Sequence, residues 1–298
     1  MKLENAVRLC AFGLALGAAS PPPAAAGARK VYISVDMEGI SGISGDDQLS
    51  AGGSEYGRSR KLMAEDANAA IRGAFAGGAS EVLVNDSHGG QRNLLPEDLD
   101  ARARLISHSF KPYGMVQGLD ESFDAVIFVG YHAKASTPAG LFAHTGSGVV
   151  ADVEVNGRSL GEGGLNTLVA AWYGVSVVLV TGDDVAVAEV KAVATSARGV
   201  VVKKALNVRA VELEPLVAAR AEIEKAAREA VAAASRVAPQ RTGPYRVHMR
   251  FKDTLIPFIA EGLPGLERTA PDTVSWNSDT MPAAYRVVRI LYRYIDPN

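Results

Sequence analysis

A single cysteine, Cys10, stands in the 298 residues, which excludes an internal disulfide and any cysteine-rich zinc site. No sign of charge dominates: 31 Lys and Arg face 33 Asp and Glu, for a formal net charge of -2. A balance this close to zero argues against a nucleic-acid binder working through a broad basic surface. Past the first residues no stretch approaches ~18 consecutive apolar residues, so nothing there is predicted to span a membrane. Gly-x-Ser-x-Gly, His-Glu-x-x-His and P-loop patterns are all missing. Their absence removes the serine elbow, the helical zincin site and the phosphate-cradling loop. What is left, at 48% hydrophobic and 21% charged residues, is an ordinary globular composition rather than a disordered one.

The first 28 residues read differently from the rest. Lys2 and Arg8 precede an apolar run from Leu9 to Ala19, followed by Ser20-Pro21-Pro22-Pro23 and small residues at Ala24-Ala25-Ala26. A basic start, an apolar core too short to span a bilayer and a small-residue end predict a cleavable secretory signal over 1–28. Its removal leaves an exported, periplasmic chain without any cysteine, and so without a thiol nucleophile.

From Lys30 onward, short apolar runs alternate with amphipathic stretches. Val31–Val35, Glu81–Val84, Ala125–Val129 and Ser176–Val180 are nearly continuous in apolar residues, as expected of strands buried on both faces. Between the first two, Met63, Ala67, Ala70, Ile71 and Ala74 repeat at helical spacing, and Gly77-Gly78 ends the pattern. This order predicts an α/β fold with a mostly parallel sheet flanked by helices, occupying residues 29–205. Residues 206–298 are expected to form a smaller α+β portion. It comprises a long alanine-rich helix over 215–237, an alternating strand over 245–251 and a last helix over 281–294.

Polar residues of chemical interest cluster just past the strand ends. Asp36 and Glu38 follow the first strand, His88 the second, and His132 the run ending at Val129. In α/β sheets the carboxyl ends of the strands form the ligand-binding edge. Asp36 and Glu38 lie two apart, so both face one way in an extended backbone. Crowded carboxylates repel unless a cation lies between them, and with neutral imidazoles beside them the set suits zinc or a similar divalent ion. Glu162 opens a predicted helix, where it serves equally well as a dipole-favoured first-turn residue. His144, in a glycine-bearing loop, reads as a general base, a nucleophile or an oxyanion stabiliser. His108 and His248 are read as structural.

Four segments together resemble the zinc-dependent D-aminopeptidase family. They are Val31–Gly42, Val82–His88, Gly130–Ala133 with Ala135–Pro138, and Gly161-Glu162 with Gly164-Leu165-Asn166. The resemblance implies two zinc ions per subunit held by Asp36, Glu38, His88, His132 and Glu162, with His144 as the catalytic histidine. It also implies a homo-oligomer and a short peptide substrate beginning with a D-residue. Two other classes compete. An exported metal-dependent phosphoesterase would use a similar ligand set, and a periplasmic peptide-binding protein would share the export and the α/β cleft.

Overall fold

A computed structural model of the chain describes residues 29–295; the segment read as a secretory signal, 1–28, lies outside the described residues. In chain order the elements begin with β1 (Arg29–Val35), α1 (Tyr56–Ala76), β2 (Ala79–Asp86), β3 (Arg104–Ile106) and β4 (Ala125–Tyr131). Next come β5 (Val150–Val155), β6 (Arg158–Ser159), α2 (Glu162–Trp172), β7 (Ser176–Asp183) and α3 (Asp184–Val193). The chain continues through β8 (Arg198–Ala205), β9 (Val211–Leu213), α4 (Leu216–Ala233), β10 (Tyr245–Phe251) and α5 (Leu255–Ala260). It finishes with β11 (Glu267–Ala270), β12 (Thr273–Ser278) and α6 (Met281–Arg293).

The first sheet has the order β3-β2-β1-β4-β7-β8-β9 and is parallel except for β9, which runs antiparallel to β8. The apolar runs read from sequence supply its central strands, as their two-sided burial requires. From β1 the chain builds outward through β2 and β3, then returns to add β4 on the other side of β1. The gap between β1 and β4 is therefore a switch point, where the crevice at the strand ends opens. Register makes the ends level: Val35 lies beside Asp86 of β2 and beside Val129 of β4. Residues just beyond these positions share one edge.

One face of this sheet packs on α1 and α4 through a core that includes Ile33, Met63, Ile71, Ile127, Ile223 and Val231. The two helices approach closely because their contact is built from small residues; a Cβ on Gly73 would lie 2.3 Å from the Glu224 carbonyl oxygen. The other face, with Tyr32, Phe128 and Tyr131, packs into a second core shared with Val153, Met249 and Leu291. That core lies under an antiparallel sheet of order β11-β12-β10-β5-β6.

The boundary expected near residue 205 does not separate these layers. The antiparallel sheet takes β5 and β6 from before it and β10–β12 from after it. The alanine-rich helix α4, expected in a smaller C-terminal portion, packs on the first sheet. Hydrophobic periodicity identifies the central strands and the long helices but says nothing about which distant strand completes an edge.

A tight crossing locks the active edge. The Asp36 N–H donates to the Val129 carbonyl and the Gly39 N–H to the Gly130 carbonyl, both at 2.8 Å. A Cβ on Gly39 would sit 2.1 Å from the Tyr131 carbonyl oxygen, and one on Gly130, at φ +73°, 2.4 Å from that of Asp36. Only glycine fits at either place. Gly39→Ala is accordingly expected to lower unfolding free energy by about 2–4 kcal/mol, read from chemical denaturation. Gly57→Ala, in α1 with open space around the added methyl, is expected to raise it by about 0.5–1 kcal/mol.

Candidate metal centre

Each of the six residues singled out at the strand ends arrives from a different local device. Asp36 leaves β1 directly and Glu38 follows in the turn after it. His88 lies two residues past β2, His132 immediately past β4, and Glu162 is the first residue of α2. His144 sits in the long loop between β4 and β5. All six are brought together. Asp36, Glu38 and His88 have ligand atoms within 4.8 Å of one another, and so do Asp36, His132 and Glu162. Asp36 belongs to both groups: its Oδ1 lies 3.4 Å from His88 Nδ1 and its Oδ2 3.4 Å from His132 Nε2.

Hydrogen bonds on the far side of each ring define where the lone pairs point. His88 Nε2 donates to the Leu49 carbonyl at 2.7 Å, leaving Nδ1 turned to Glu38 Oε2 at 2.8 Å. His132 Nδ1 donates to the Ala133 carbonyl at 2.9 Å, leaving Nε2 between Asp36 and Glu162, which lies 3.3 Å away. Backbone carbonyls thus hold both imidazoles in the tautomer that metal ligation needs. His132 Nε2 and Asp36 Oδ2 are buried and have no hydrogen-bond partner. Lone pairs aimed at carboxylates, in a place sealed from water, are the donor set of a divalent cation. The residues therefore fit the zinc implied by the sequence resemblance.

Without a cation, protons carry the compensating charge. Burial pushes the Asp36 carboxyl up to about 7, and the charge of Glu38 adds to the push. Burial acts the same way on Glu38 and Glu162, but His88 and His132 respectively outweigh it and hold both acids below their ordinary range. Burial disfavours charge on His88 and His132 as well; the carboxylates win there and raise both well above the usual imidazole value.

His144 is different. Its ring stacks on His132, with centroids 4.0 Å apart and planes 7° from parallel. Burial, then the His132 charge, lower its pKa, so it is neutral at pH 7. Nδ1 donates to the Phe142 carbonyl at 2.8 Å, and Nε2 lies 3.8 Å from Glu162 Oε1. One of its ring nitrogens also comes within 4.8 Å of Glu38 and His132 ligand atoms. His108 and His248 stay apart: one bonds the Ser109 carbonyl, the other the Ser275 hydroxyl.

Several supporting residues escaped the sequence reading. Lys203, fully buried in β8, donates from Nζ to the carbonyls of Glu38, Ile40 and Ile43, at 2.5, 3.0 and 2.8 Å. It pins the turn that carries Glu38. Lys111 does the same for the turn after β2, donating to Asn85 Oδ1 and the Asp86 carbonyl. Beneath the cluster the Tyr131 hydroxyl donates to Ser34 and accepts from Asn166, 2.8 Å in each case. The signal for Lys203 was present: a lysine closing the run Val200-Val201-Val202. Arg289 and Arg293, near no ligand segment in sequence, both line the narrow cleft over the cluster, together with Gln91 and Tyr292. A wider groove adjoins it, lined by Phe142, Val208, Arg209 and Lys252; Glu38 and His144 stand where the two meet.

Comparison with known proteins points one way. A family model described as D-aminopeptidase matches residues 29–290. The D-aminopeptidase of Bacillus subtilis (strain 168) is 40% identical over 266 residues, which cover 88% of this chain and 96% of that protein. Among solved structures, the Zn-dependent D-aminopeptidase DppA from Bacillus subtilis, described as a self-compartmentalizing protease, matches with a TM-score of 0.80. The match has 36% identity and covers 88% of this chain and 96% of that one. The mixed α/β fold and the family resemblance read from sequence both agree with these matches.

The charge arrangement predicts how stability varies with pH. Asp36 has a raised folded pKa, so its contribution is full in acid and is lost as pH rises through about 7. His88 and His132, also raised, contribute fully below the ordinary imidazole value and lose that contribution only as pH rises through their elevated folded values. Metal-free protein is therefore expected to melt at progressively lower temperature as pH rises from 6 to 8, with Lys203, lowered by burial to about 7, offsetting part of the fall above pH 7, and zinc-loaded protein much less so. Scanning calorimetry with and without chelator checks this; a flat metal-free profile contradicts it.

Proposed function

The chain belongs to the D-aminopeptidase family, and we propose from that premise that it is a zinc aminopeptidase. Its reaction is release of the first residue of short peptides beginning with a D-amino acid. The observation that carries this reading is the shared carboxylate, Asp36, between two groups of ligand-type side chains. Asp36, Glu38 and His88 would hold one zinc ion, and Asp36, His132 and Glu162 a second. When bound, the ions supply Lewis acidity at the scissile carbonyl and acidify water at the site.

The chain's own groups do the rest. His144 acts as general base: it is neutral, its Nδ1–H is committed to Phe142, and its Nε2 is left to accept a proton at the mouth of the cleft. Phe142, at φ +53° and bonded through its N–H to the Val208 carbonyl, fixes the loop that aims the ring. The acidic lining of the cleft attracts the α-ammonium of the substrate, which favours removal of a terminal residue over cleavage inside a chain. A phosphoesterase or a peptide-binding protein finds no support among the matched proteins.

Two further readings belong to the same proposal. Assembly with copies of itself is supported by the self-compartmentalizing description of DppA, and by the apolar residues Leu255, Phe258 and Ile259 exposed on α5. Export to the periplasm is supported by the basic, apolar and small-residue order of 1–28, and by a family match that begins at residue 29.

The test uses protein stripped with chelator, reconstituted with zinc and offered D-Ala-D-Ala and L-Ala-L-Ala. Zinc-dependent release of D-alanine is expected; no release from either peptide rejects the aminopeptidase reading. His88→Ala and His132→Ala are expected to lose zinc by elemental analysis. His144→Ala is expected to keep its zinc while kcat drops by about 10²–10⁴.

A further inference from the structure

The narrow cleft holds more positive charge than the proposed reaction uses. Arg289 of α6 is 3% exposed, yet all of its hydrogen-bond partners are neutral. Nε donates to the Lys111 carbonyl at 2.9 Å, Nη1 to the Tyr292 hydroxyl at 3.1 Å and Nη2 to Gln91 Oε1 at 3.3 Å. Among the described residues no carboxylate comes within ion-pair distance of it. The guanidinium is also held in place, because it packs on Gly114, where a Cβ would lie 2.6 Å from Nη1. Burying a cation this way without an anion is unfavourable.

Four residues on, Arg293 lies on the same face of α6 and lines the same cleft. It is exposed and donates to the Gly89 carbonyl at 3.3 Å. The helix dipole alone favours a basic residue in a last turn, which accounts for Arg293 but not for Arg289 a turn earlier. The pair faces a cleft whose other lining includes Asp36, Glu38 and His88. The wider groove is a poorer anion site: Arg209 is already paired with Asp46, which leaves Lys252 with no second unpaired cation in the lining.

We propose that Arg293, backed by the rigidly held Arg289, binds the C-terminal carboxylate of the substrate. The enzyme then prefers very short peptides, above all dipeptides, with that carboxylate free. Guanidinium groups suit this role because they meet a carboxylate with two parallel N–H donors. The proposal rests on the aminopeptidase reading and adds the feature by which one end of the peptide is recognised while the other is cleaved.

The experiment compares zinc-loaded enzyme on D-Ala-D-Ala and on the same dipeptide carrying a C-terminal amide. The free acid is expected to be preferred by about 10- to 100-fold in kcat/KM, the range of a charged hydrogen-bonded contact, mainly through KM. In Arg293→Gln that preference is expected to shrink toward unity, while in Lys252→Gln it persists. In Arg289→Gln the preference is expected to fall as well, and Arg289→Lys, which keeps charge but not the fork, is expected to do the same should Arg289→Gln fail to fold. Equal cleavage of acid and amide by the unaltered enzyme overturns the proposal and leaves the aminopeptidase reading standing. So does a preference that survives Arg293→Gln, or one abolished by Lys252→Gln. Failure to cleave either dipeptide removes the aminopeptidase reading and the proposal with it.

Discussion

Three carboxylates, Asp36 and Glu38 buried and Glu162 partly so, converge with the lone pairs of two imidazoles, and most of the architecture around them answers the repulsion this creates. Such a set is unfavourable unless positive charge fills its centre. Protons do so partially in the bare protein; divalent ions do so at defined places. Each ring is turned by a backbone carbonyl behind it, so the arrangement does not depend on side-chain rotamers chosen at the moment of binding. The site is preorganised by hydrogen bonds that lie outside it.

Holding like charges together needs a stiff frame, and the frame is made of main chain. Gly39 and Gly130 let two turns approach to backbone contact, and Lys203 gathers three carbonyls of the turn bearing Glu38. Lys111 and the hydroxyl chain from Tyr131 to Ser34 support neighbouring turns in the same way. None of these groups lines the narrow cleft. Their contribution is that Asp36 stays placed to serve both halves of the cluster.

How far all this could be read without coordinates varies from residue to residue, for physical reasons. The central strands were legible because burial on both faces forces continuous apolar runs, whereas the strand order, and with it the switch point beside β1, is set by long-range pairing. Asp36, Glu38, His88 and His132 were legible because ligand-type residues directly follow such strands. Glu162 and His144 were not legible from pattern alone: a first-turn glutamate and a loop histidine have ordinary explanations, and only family resemblance raised them. Lys203 left a weak trace as a lysine closing an apolar strand. Arg289 could have been noticed on the buried face of α6, but its destination depends on where the last helix docks. Likewise, no local pattern in β5 announces that its neighbour is β10, nearly a hundred residues away. Long-range pairing is a property of the whole chain, which is why the division near 205 does not match the sheets.

That pairing of β5 with β10 has a consequence for how the two halves of the cluster are related. Asp36, Glu38, His88 and His132 are rooted in the parallel sheet, whereas Glu162 follows directly from β5 and β6 of the antiparallel one. Cations shared among these side chains would act as a rivet through both layers. Anything that loosens the seam between the sheets would then loosen the grip on the ions, and loading the ions would draw the seam shut. The protein cannot be trimmed to its parallel half and keep a complete donor set, because the last carboxylate is carried on the stem of the other layer.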